Sequence, residues 1–534
     1  MSDKDQKQSE FDHFFLKNNQ PINGAPEVLS SPQHGVPEEP STREKLFVLV
    51  AFILGFLLFE LGLFGGFGIS MTIYVVLFYA TMFWYFSGKP GGINKQGLPL
   101  LIPIGLIAAC YTLFDNGLLA ALNFLLLIVL IPLQLATMTG NRLYKTFSLG
   151  LLIDLFHVGV ALPVVNIPAP FKALGRRQAG GKGRGLGQVA IGLGISVPVL
   201  AVVLVLLSNA DVVFERALSG VFSYLNENVW EYVGKAILGV FAAVPLFGLM
   251  HALRHNKAIG AMRRPIDMGR VKVVSPAIVV TVLTTVCLSY LVFIGIQFGY
   301  LLNAFSSILP AGFGYADYAR RGFFELMGVV CVNLFLLTLS MLFSRRSGLV
   351  KAMESALVVL TLFLIASAFS KMVLYMDAYG LTLLRLYTSW FMLLCTVMFV
   401  AMLVKVHVPK FALTRFCSVA FVVLFLALNY ANVDALIPQY NIHRYETGKS
   451  RYVDVESFYE LSDSMVPIAA RLLDSGDPQT AHFARVLLED RAIILNGSRW
   501  HEFSVAREKA KEALRARGIT YHPRPENAER TYER

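Results

Sequence analysis

The chain has 534 residues, of which 55% are hydrophobic and only 16% charged, at a mean hydropathy of +0.58. Soluble domains carry roughly 25% charged residues, so the composition excludes a soluble enzyme, a nucleic-acid factor and a secreted disulfide scaffold. The net charge of +11 does not reopen the nucleic-acid class. Residues 437–534 hold 15 basic and 15 acidic side chains, so the surplus sits between the apolar runs of residues 1–436, the positive-inside pattern of a polytopic membrane protein.

Residues 1–42 are polar and rich in Pro, Ser, Gln and Asn. They cannot bury enough apolar surface to offset ordering entropy, and are expected to form a disordered cytoplasmic tail. The tail is too long for the basic leader of a signal peptide, so the first apolar run is expected to stay as an anchor. Apolar runs of about 20 residues, the length that crosses a hydrocarbon core, then predict 11 spans. They fall at 46–64, 68–86, 97–114, 117–137, 189–208, 234–253, 276–302, 323–343, 355–375, 388–407 and 416–436. The fold class is therefore all-α: a multi-spanning domain over 43–436, followed by a small helical domain over 437–534.

One weaker segment, Phe147–Ile167, carries Asp154, His157, Pro163 and Asn166. If it does not cross and the N-terminus is cytoplasmic, 23 basic residues face the cytoplasm and 9 the outside, counting the tail to about residue 456. Letting it cross moves the cluster Lys172–Arg184 outside and inverts every later loop. The bias predicts a re-entrant or interfacial segment, an N-terminus inside and a C-terminal tail outside.

In the tail, Val453–Leu473 has a long apolar-periodic pattern. Asp477-Pro478 is an N-cap with Pro at N1, opening a helix over Gln479–Leu495 with Phe483, Val486, Leu487 and Ile494 on one side. Ser498 is expected to cap a third helix, Arg499–Arg517, with Gly518 as its C′ residue.

Little conventional chemistry is visible. Cys110, Cys287, Cys331, Cys395 and Cys417 lie inside apolar runs without ligand spacing, so neither a disulfide nor a zinc site is expected. The basic loop Gly175–Gly187 lacks the spacing of a phosphate loop and suits anionic headgroups. His251 and His255 share a helix face, but no carboxylate or cysteine lies beside them in sequence, and a helix end at the cytoplasmic interface is expected instead of a metal site. No cofactor is implied. Glu60, Asn123 and Gln134 are intramembrane polar groups, the last two expected to bond between helices.

Three segments expected at the outer surface are rich in Tyr, Arg and Asp. The first holds Tyr315, Asp317, Tyr318, Arg320, Arg321 and Glu325. The second holds Tyr375, Asp377 and Arg385, with Lys371 just before it, and the third Asn432, Asp434, Asn441 and Arg444. Each supplies a carboxylate and an Arg, and the expectation is one polar cluster with Asp317 paired to Arg320 or Arg321, Asp377 to Arg385 and Asp434 to Arg444. These fourteen residues are the candidate ligand-binding set.

The same segments carry Tyr-Ala-x-Tyr-Ala-Arg-x-Gly-Phe from Tyr315, Tyr-Gly-Leu-Thr-x-x-Arg-Leu-Tyr from Tyr379, and Asn-x-Asp … Tyr-Asn-Ile-x-Arg-Tyr from Asn432 to Tyr445, leading to Asp454, Leu461-Ser462 and Pro467. In them the chain resembles a family of bacterial multi-spanning membrane proteins known as a domain of unknown function, over roughly residues 190–475. It departs from that family's common Asp-Ala before the last Pro, having Ser464-Met465. The resemblance implies a membrane fold in a bacterial plasma membrane and brings no catalytic residues.

The leading expectation is a non-enzymatic plasma-membrane protein acting in sensing, signalling or assembly through an outward-facing polar site. Membrane lipids and a membrane or extracytoplasmic protein are its expected partners. The alternatives are a secondary transporter of a small solute or lipid, for which no inverted repeat is visible, and a membrane enzyme acting on a lipid-linked substrate.

Overall fold

Each apolar run ends where the sequence supplies a cap or a break, and those punctuation points set the architecture. The computed structural model describes residues 41–89, 92–144, 150–175, 227–256, 274–305 and 323–519, with a few isolated positions between 196 and 216. Among the described residues, ten helices are long and apolar enough to cross a membrane. The span expected at 189–208 lies outside the described residues apart from scattered positions.

α1 (Thr42–Leu57) continues through a π-helical turn, Leu58–Leu63, and α2 (Ile69–Phe86) returns. A 3₁₀ turn at Lys95–Leu100 opens α3 (Leu101–Leu113), and Asn116 caps α4 (Gly117–Thr139) by accepting from Leu119 N at 2.8 Å. The weak segment is an interrupted helix: α5 (Gly150–Phe156), a π turn at His157–Ala161 and α6 (Leu162–Val165), followed by α7 (Ala169–Gly175). Then come α8 (Glu227–Arg254), α9 (Pro276–Phe305), α10 (Phe323–Phe343), α11 (Gly348–Tyr379), α12 (Leu383–His407) and α13 (Leu413–Tyr430).

Two apolar cores result. One gathers α1–α4 and α6–α8, with Phe47, Met82, Tyr85, Ile107, Leu135 and Phe247 fully buried; the other gathers α9–α12 around Leu337, Leu357, Val358 and Phe399. α13 joins them: Asn429 accepts from Asn123 of α4 at 2.8 Å, and Tyr430 donates to Leu106 O of α3 at 3.0 Å. Each core also holds polar cross-links, as expected where van der Waals packing replaces a hydrophobic driving force. Glu60 pairs with Lys235 at 2.6 Å, and Tyr290, Asn333 and Thr361 bond in series across α9, α10 and α11. Gln134 bonds weakly to Tyr79 and Gly97 O, both at 3.4 Å.

One end of the bundle is basic. There Lys89 donates to Thr139 O and to Asn256 Oδ1, Asn141 donates to Leu253 O, and Arg43 and Arg254 donate to Ser87 O and Tyr85 O. The interrupted helix keeps to this end at both of its termini. Gly150 packs on Tyr144 just beyond α4, Asp154 pairs with Arg142 at 3.2 Å, and Pro163 and Asn166 close on Gly248, near the end of α8. α7 also lies there, whereas α8 begins at the opposite end.

At that opposite end sits the C-terminal cap. α13 does not run on to 436 as its hydropathy suggests: Asn432 adopts the left-handed region (φ 46°), a conformation Asn tolerates better than most residues, and α14 (Val433–Glu446) starts in a new direction. The expected long periodic stretch over Val453–Leu473 is instead a run of short turns ending in α15 (Val466–Ala469) and a 3₁₀ turn at Ala470–Asp474, because the backbone at 463 is drawn to a loop of the bundle. Asp477 caps α16 (Pro478–Asn496), accepting from Gln479 N and Thr480 N, but its buried stripe is Thr480, Ala484, Leu487, Leu488, Ala492 and Leu495, leaving Phe483 and Ile494 exposed. The last cap falls on Ser504, six residues beyond the expected one, and α17 (Val505–Ala516) ends before Gly518 at φ 64°. The apolar centre of the cap includes Ile437 and Ile442 of α14 and packs on Leu381, Leu383 and Leu386 at the start of α12.

Candidate functional site

The cap meets the bundle through polar groups at three inter-helix connections, α1–α2, α3–α4 and α11–α12. Between α3 and α4, Asn116 Nδ2 donates to Asp434 Oδ2 at 2.8 Å and to the Tyr387 hydroxyl at 3.1 Å. Asp434 stands in the first turn of α14, where a carboxylate is favoured by the helix dipole, and Ser462 Oγ donates to the same oxygen at 2.6 Å. Asp434 is 2% exposed; burial pushes its carboxyl above the usual range, against the hydrogen bonds from Ser462 and Asn116. Its Oδ1 has no hydrogen-bond partner, nor has Asn123 Oδ1. Both residues line a cavity of about 20 Å³ with Asn116, Asn429 and Asn432, room for a single water.

Next to it, Asp115 accepts from the backbone N–H of Asp463 at 2.8 Å and from Ser464 Oγ at 3.3 Å. Asp463 is 3% exposed, with Arg491 at 3.5 Å and Arg507 at 3.4 Å. Burial and the neighbouring Asp115 push it up to about 7, the two guanidiniums opposing. Arg491 also donates to Tyr459 O and Leu461 O, and Arg507 to Glu502. Three carboxylates and two guanidiniums thus share one partly dry junction, an arrangement able to bind or release a proton near neutral pH.

The second and third sequence motifs do meet. Asn441 accepts from Leu381 N at 2.8 Å and donates to Leu381 O at 2.9 Å, over Gly380. The expected acid–base pairs do not form, however. Arg444 donates to Met376 O and Asp377 O, and Arg385 to Tyr379 O and Gly380 O while lying 4.1 Å over the Tyr375 ring. Both guanidiniums therefore cap the last carbonyls of α11, groups that a helix leaves without intrahelical partners. The Asp377 side chain is exposed, and Asp434 bonds to Asn116 and Ser462.

Of the remaining candidates, Lys371 is half-buried in α11 and Glu325 exposed at the start of α10. Tyr315, Asp317, Tyr318, Arg320 and Arg321 lie outside the described residues. Asp115, Asn116, Ser462, Asp463, Arg491 and Arg507 were not in the sequence-derived set. The signal for the first two is Asp-Asn-Gly between two apolar runs, a turn and N-cap pattern.

Arg444→Gln is expected to destabilise the protein by about 2 kcal/mol or more, the order of a buried hydrogen bond to a charged group. Thermal unfolding in detergent checks this. Its effect should add to that of Asp377→Asn without coupling, but couple to Arg385→Gln, which caps the same helix end. Strong coupling to Asp377→Asn would show that the carboxylate, not the carbonyl, is the partner.

A helical bundle of this length and hydropathy, capped at one end through a buried polar junction, defines a multi-pass membrane protein. The chain belongs to the family described as domain of unknown function DUF4153, whose profile matches residues 101–472. The match begins with α3 and so takes in Asp115 and Asn116 as well as Asp434, Arg444 and Asp463. Comparison with curated proteins and with solved structures finds no match.

Proposed function

We propose that this is a non-enzymatic plasma-membrane protein that senses, signals or assembles through its cap, with the N-terminus cytoplasmic and the cap extracytoplasmic. The concentration of basic residues at the end of the bundle opposite the cap supports that orientation. The observation that carries the function is that the cap bonds directly to the ends of the spans. Phe503 O accepts from Ile69 N at the start of α2, Asp463 N and Ser464 bond to the α3–α4 connection, and Asn441 and Arg444 bond to the end of α11 and the turn into α12. A partner, lipid or proton engaging the cap then acts on several helices at once, the differential contact that coupling requires. Lipid and a second membrane or extracytoplasmic protein are the partners this surface suits, with Trp500, Phe483 and Ile494 exposed on it.

A transporter is the second reading. It is favoured by fully buried Asp154 and His157 on the interrupted helix, which borders an apolar cavity of about 330 Å³ between α2, α4 and α8, since broken helices with ionisable groups mark substrate paths.

Single cysteines at Gly476 in the cap and at Gln96 at the basic end test the first reading. A membrane-impermeant maleimide should label position 476 in intact cells and position 96 only after permeabilisation. Adding Asp434→Asn should change the rate at position 96 severalfold. Labelling of position 96 in intact cells reverses the orientation; a rate indifferent to Asp434 removes the coupling.

A further inference from the structure

At the basic end, far from the cap junction, the fold assembles a set of side chains that the sequence keeps about 200 residues apart. Glu44 stands in the first turn of α1 and His251 in the last turn of α8, with His255 one residue beyond that helix, its N–H still bonded to His251 O at 3.1 Å so that the two rings, four residues apart, keep to one side. Glu44 Oε1 lies 3.0 Å from His251 Nδ1 and 2.7 Å from His255 Nε2, and the three ligand atoms are all within 4.8 Å of one another. Among the described residues this is the group of His, Cys, Asp or Glu side chains that converges closely enough to hold a metal ion.

The two helices that carry it are held in register on the same seam. Gly55 of α1 meets the backbone of Gly239 and Ala243 of α8, and Gly239 meets that of Phe56, so the ligand atoms are carried by two packed helices. Glu44 is 5% exposed; the His251 ring stacks on Phe247 at 6.0 Å with a 12° interplanar angle, and Phe47 packs on both Phe247 and Tyr85. Arg254 donates to the Tyr85 carbonyl and lies 5.1 Å over the Tyr85 ring. A second observation points at the same spot. The Tyr85 hydroxyl is buried without a hydrogen-bond partner, within electrostatic reach of Glu44 and Arg254.

We propose that Glu44, His251 and His255 bind a divalent transition metal of the zinc type. Two imidazoles and one carboxylate are the donor set that Zn²⁺ accepts when three ligands come from protein and the fourth from water or substrate. Ligand atoms on one tetrahedral zinc lie about 3.3 Å apart at normal bond lengths. The Glu44 oxygen, at 3.0 Å from His251 Nδ1 and 2.7 Å from His255 Nε2, is somewhat closer to both nitrogens than that, so a bound ion requires the carboxylate to draw back slightly, most from His255. The orphaned Tyr85 hydroxyl is the natural partner for a metal-bound water. Bound metal ties α1 to α8 beside the Lys89–Thr139–Asn256 contacts, and so fixes the basic end of the first core. Helix termini alone explain an acid at the start of α1 and imidazoles at the end of α8, but not their convergence on one oxygen beside an unpaired buried phenol.

The test uses the full-length protein in detergent, freed of any purification tag and stripped with chelator. Titration with Zn²⁺ should show one site per chain, raise the unfolding midpoint by several degrees, and protect His255 from diethyl pyrocarbonate. Co²⁺ should give the intense visible bands of tetrahedral nitrogen and oxygen ligation. Glu44→Gln and His255→Asn should each weaken binding about 100-fold or more, removal of a ligand exceeding the 10–100-fold typical of outer-shell changes. Absence of stoichiometric binding by folded wild-type protein overturns the proposal, as does binding that survives both substitutions. Should either variant fail to fold, the Co²⁺ spectrum and the His255 protection, both measured on the wild type, decide.

Discussion

Gly55→Ala is expected to cost the protein a large part of its thermal stability, and Gly55→Leu to prevent the native bundle from forming. A Cβ at position 55 would sit 2.3 Å from Gly239 O and 3.1 Å from Ala243 N, and one at position 239 would meet the Phe56 backbone at 3.0 Å. Those obstacles are backbone, so no side chain can swing aside and α1 must move away from α8. The sequences on the two sides, Ala51-x-x-x-Gly55 and Gly239-x-x-x-Ala243, are the small-residue spacing that lets transmembrane helices touch. Close packing matters here because apolar side chains gain little by leaving lipid for protein, and the same contact brings Glu60 to Lys235 at one end and Glu44 to the two histidines at the other. Overpacking costs about 1–3 kcal/mol even where side chains can yield, and more is expected here. Gly105→Ala in α3 is the control, because a Cβ there meets nothing within 4 Å and alanine is the better helix former. Equal unfolding midpoints for Gly55→Ala and Gly105→Ala, followed by fluorescence-detected size exclusion after heating, would dismiss the seam.

The spans themselves were legible because a hydrocarbon core imposes a length and a polarity that no context overrides. Residues 69–86 and 117–139 form helices close to where their hydropathy puts them. Caps based on local chemistry were legible too, as at Asp477-Pro478 and Gly518. Partners were not. The sequence pairs Arg385 and Arg444 with the nearest carboxylates of their own motifs, yet a guanidinium beside the end of a long helix meets carbonyls first. Glu44 is invisible as a companion of His251 because only the packing of α1 on α8 brings them together. Asp463 reads as an ordinary polar turn residue until the α3–α4 connection approaches it. Sequence neighbourhood reports backbone conformation well; it says little about which distant group will satisfy a buried charge.

The full-length protein should be measurably more stable at pH 5 than at pH 8, with much of that difference located at Asp463. The folded chain holds Asp463 at about 7, against about 3.8 for an exposed aspartate. A carboxyl whose value is raised by folding binds a proton more tightly in the native state. Its stabilising contribution is therefore fully present below the unfolded value and is lost as pH rises through the folded one. The window runs from about 4 to about 7, and the effect is on the order of a few kcal/mol at 1.36 kcal/mol per unit. Asp434, also raised by burial, adds in the same direction. Arg491 and Arg507 stand 3.5 and 3.4 Å away and offset only part of the cost of ionising Asp463 beside Asp115. Asp463→Asn, which keeps the backbone N–H to Asp115 and removes the titration, should flatten the pH dependence and leave stability at pH 8 equal to or above that of the wild type. A profile as steep in Asp463→Asn as in the wild type would place the titration elsewhere. The same loss of a proton would loosen the bonds from the cap to the α3–α4 connection. Hydrogen exchange at Phe114–Leu119 and at Ser462–Met465 should therefore quicken between pH 5 and 8 beyond its intrinsic rise, and should cease to do so in Asp463→Asn. That is the response a junction carrying a signal from the cap to the spans requires.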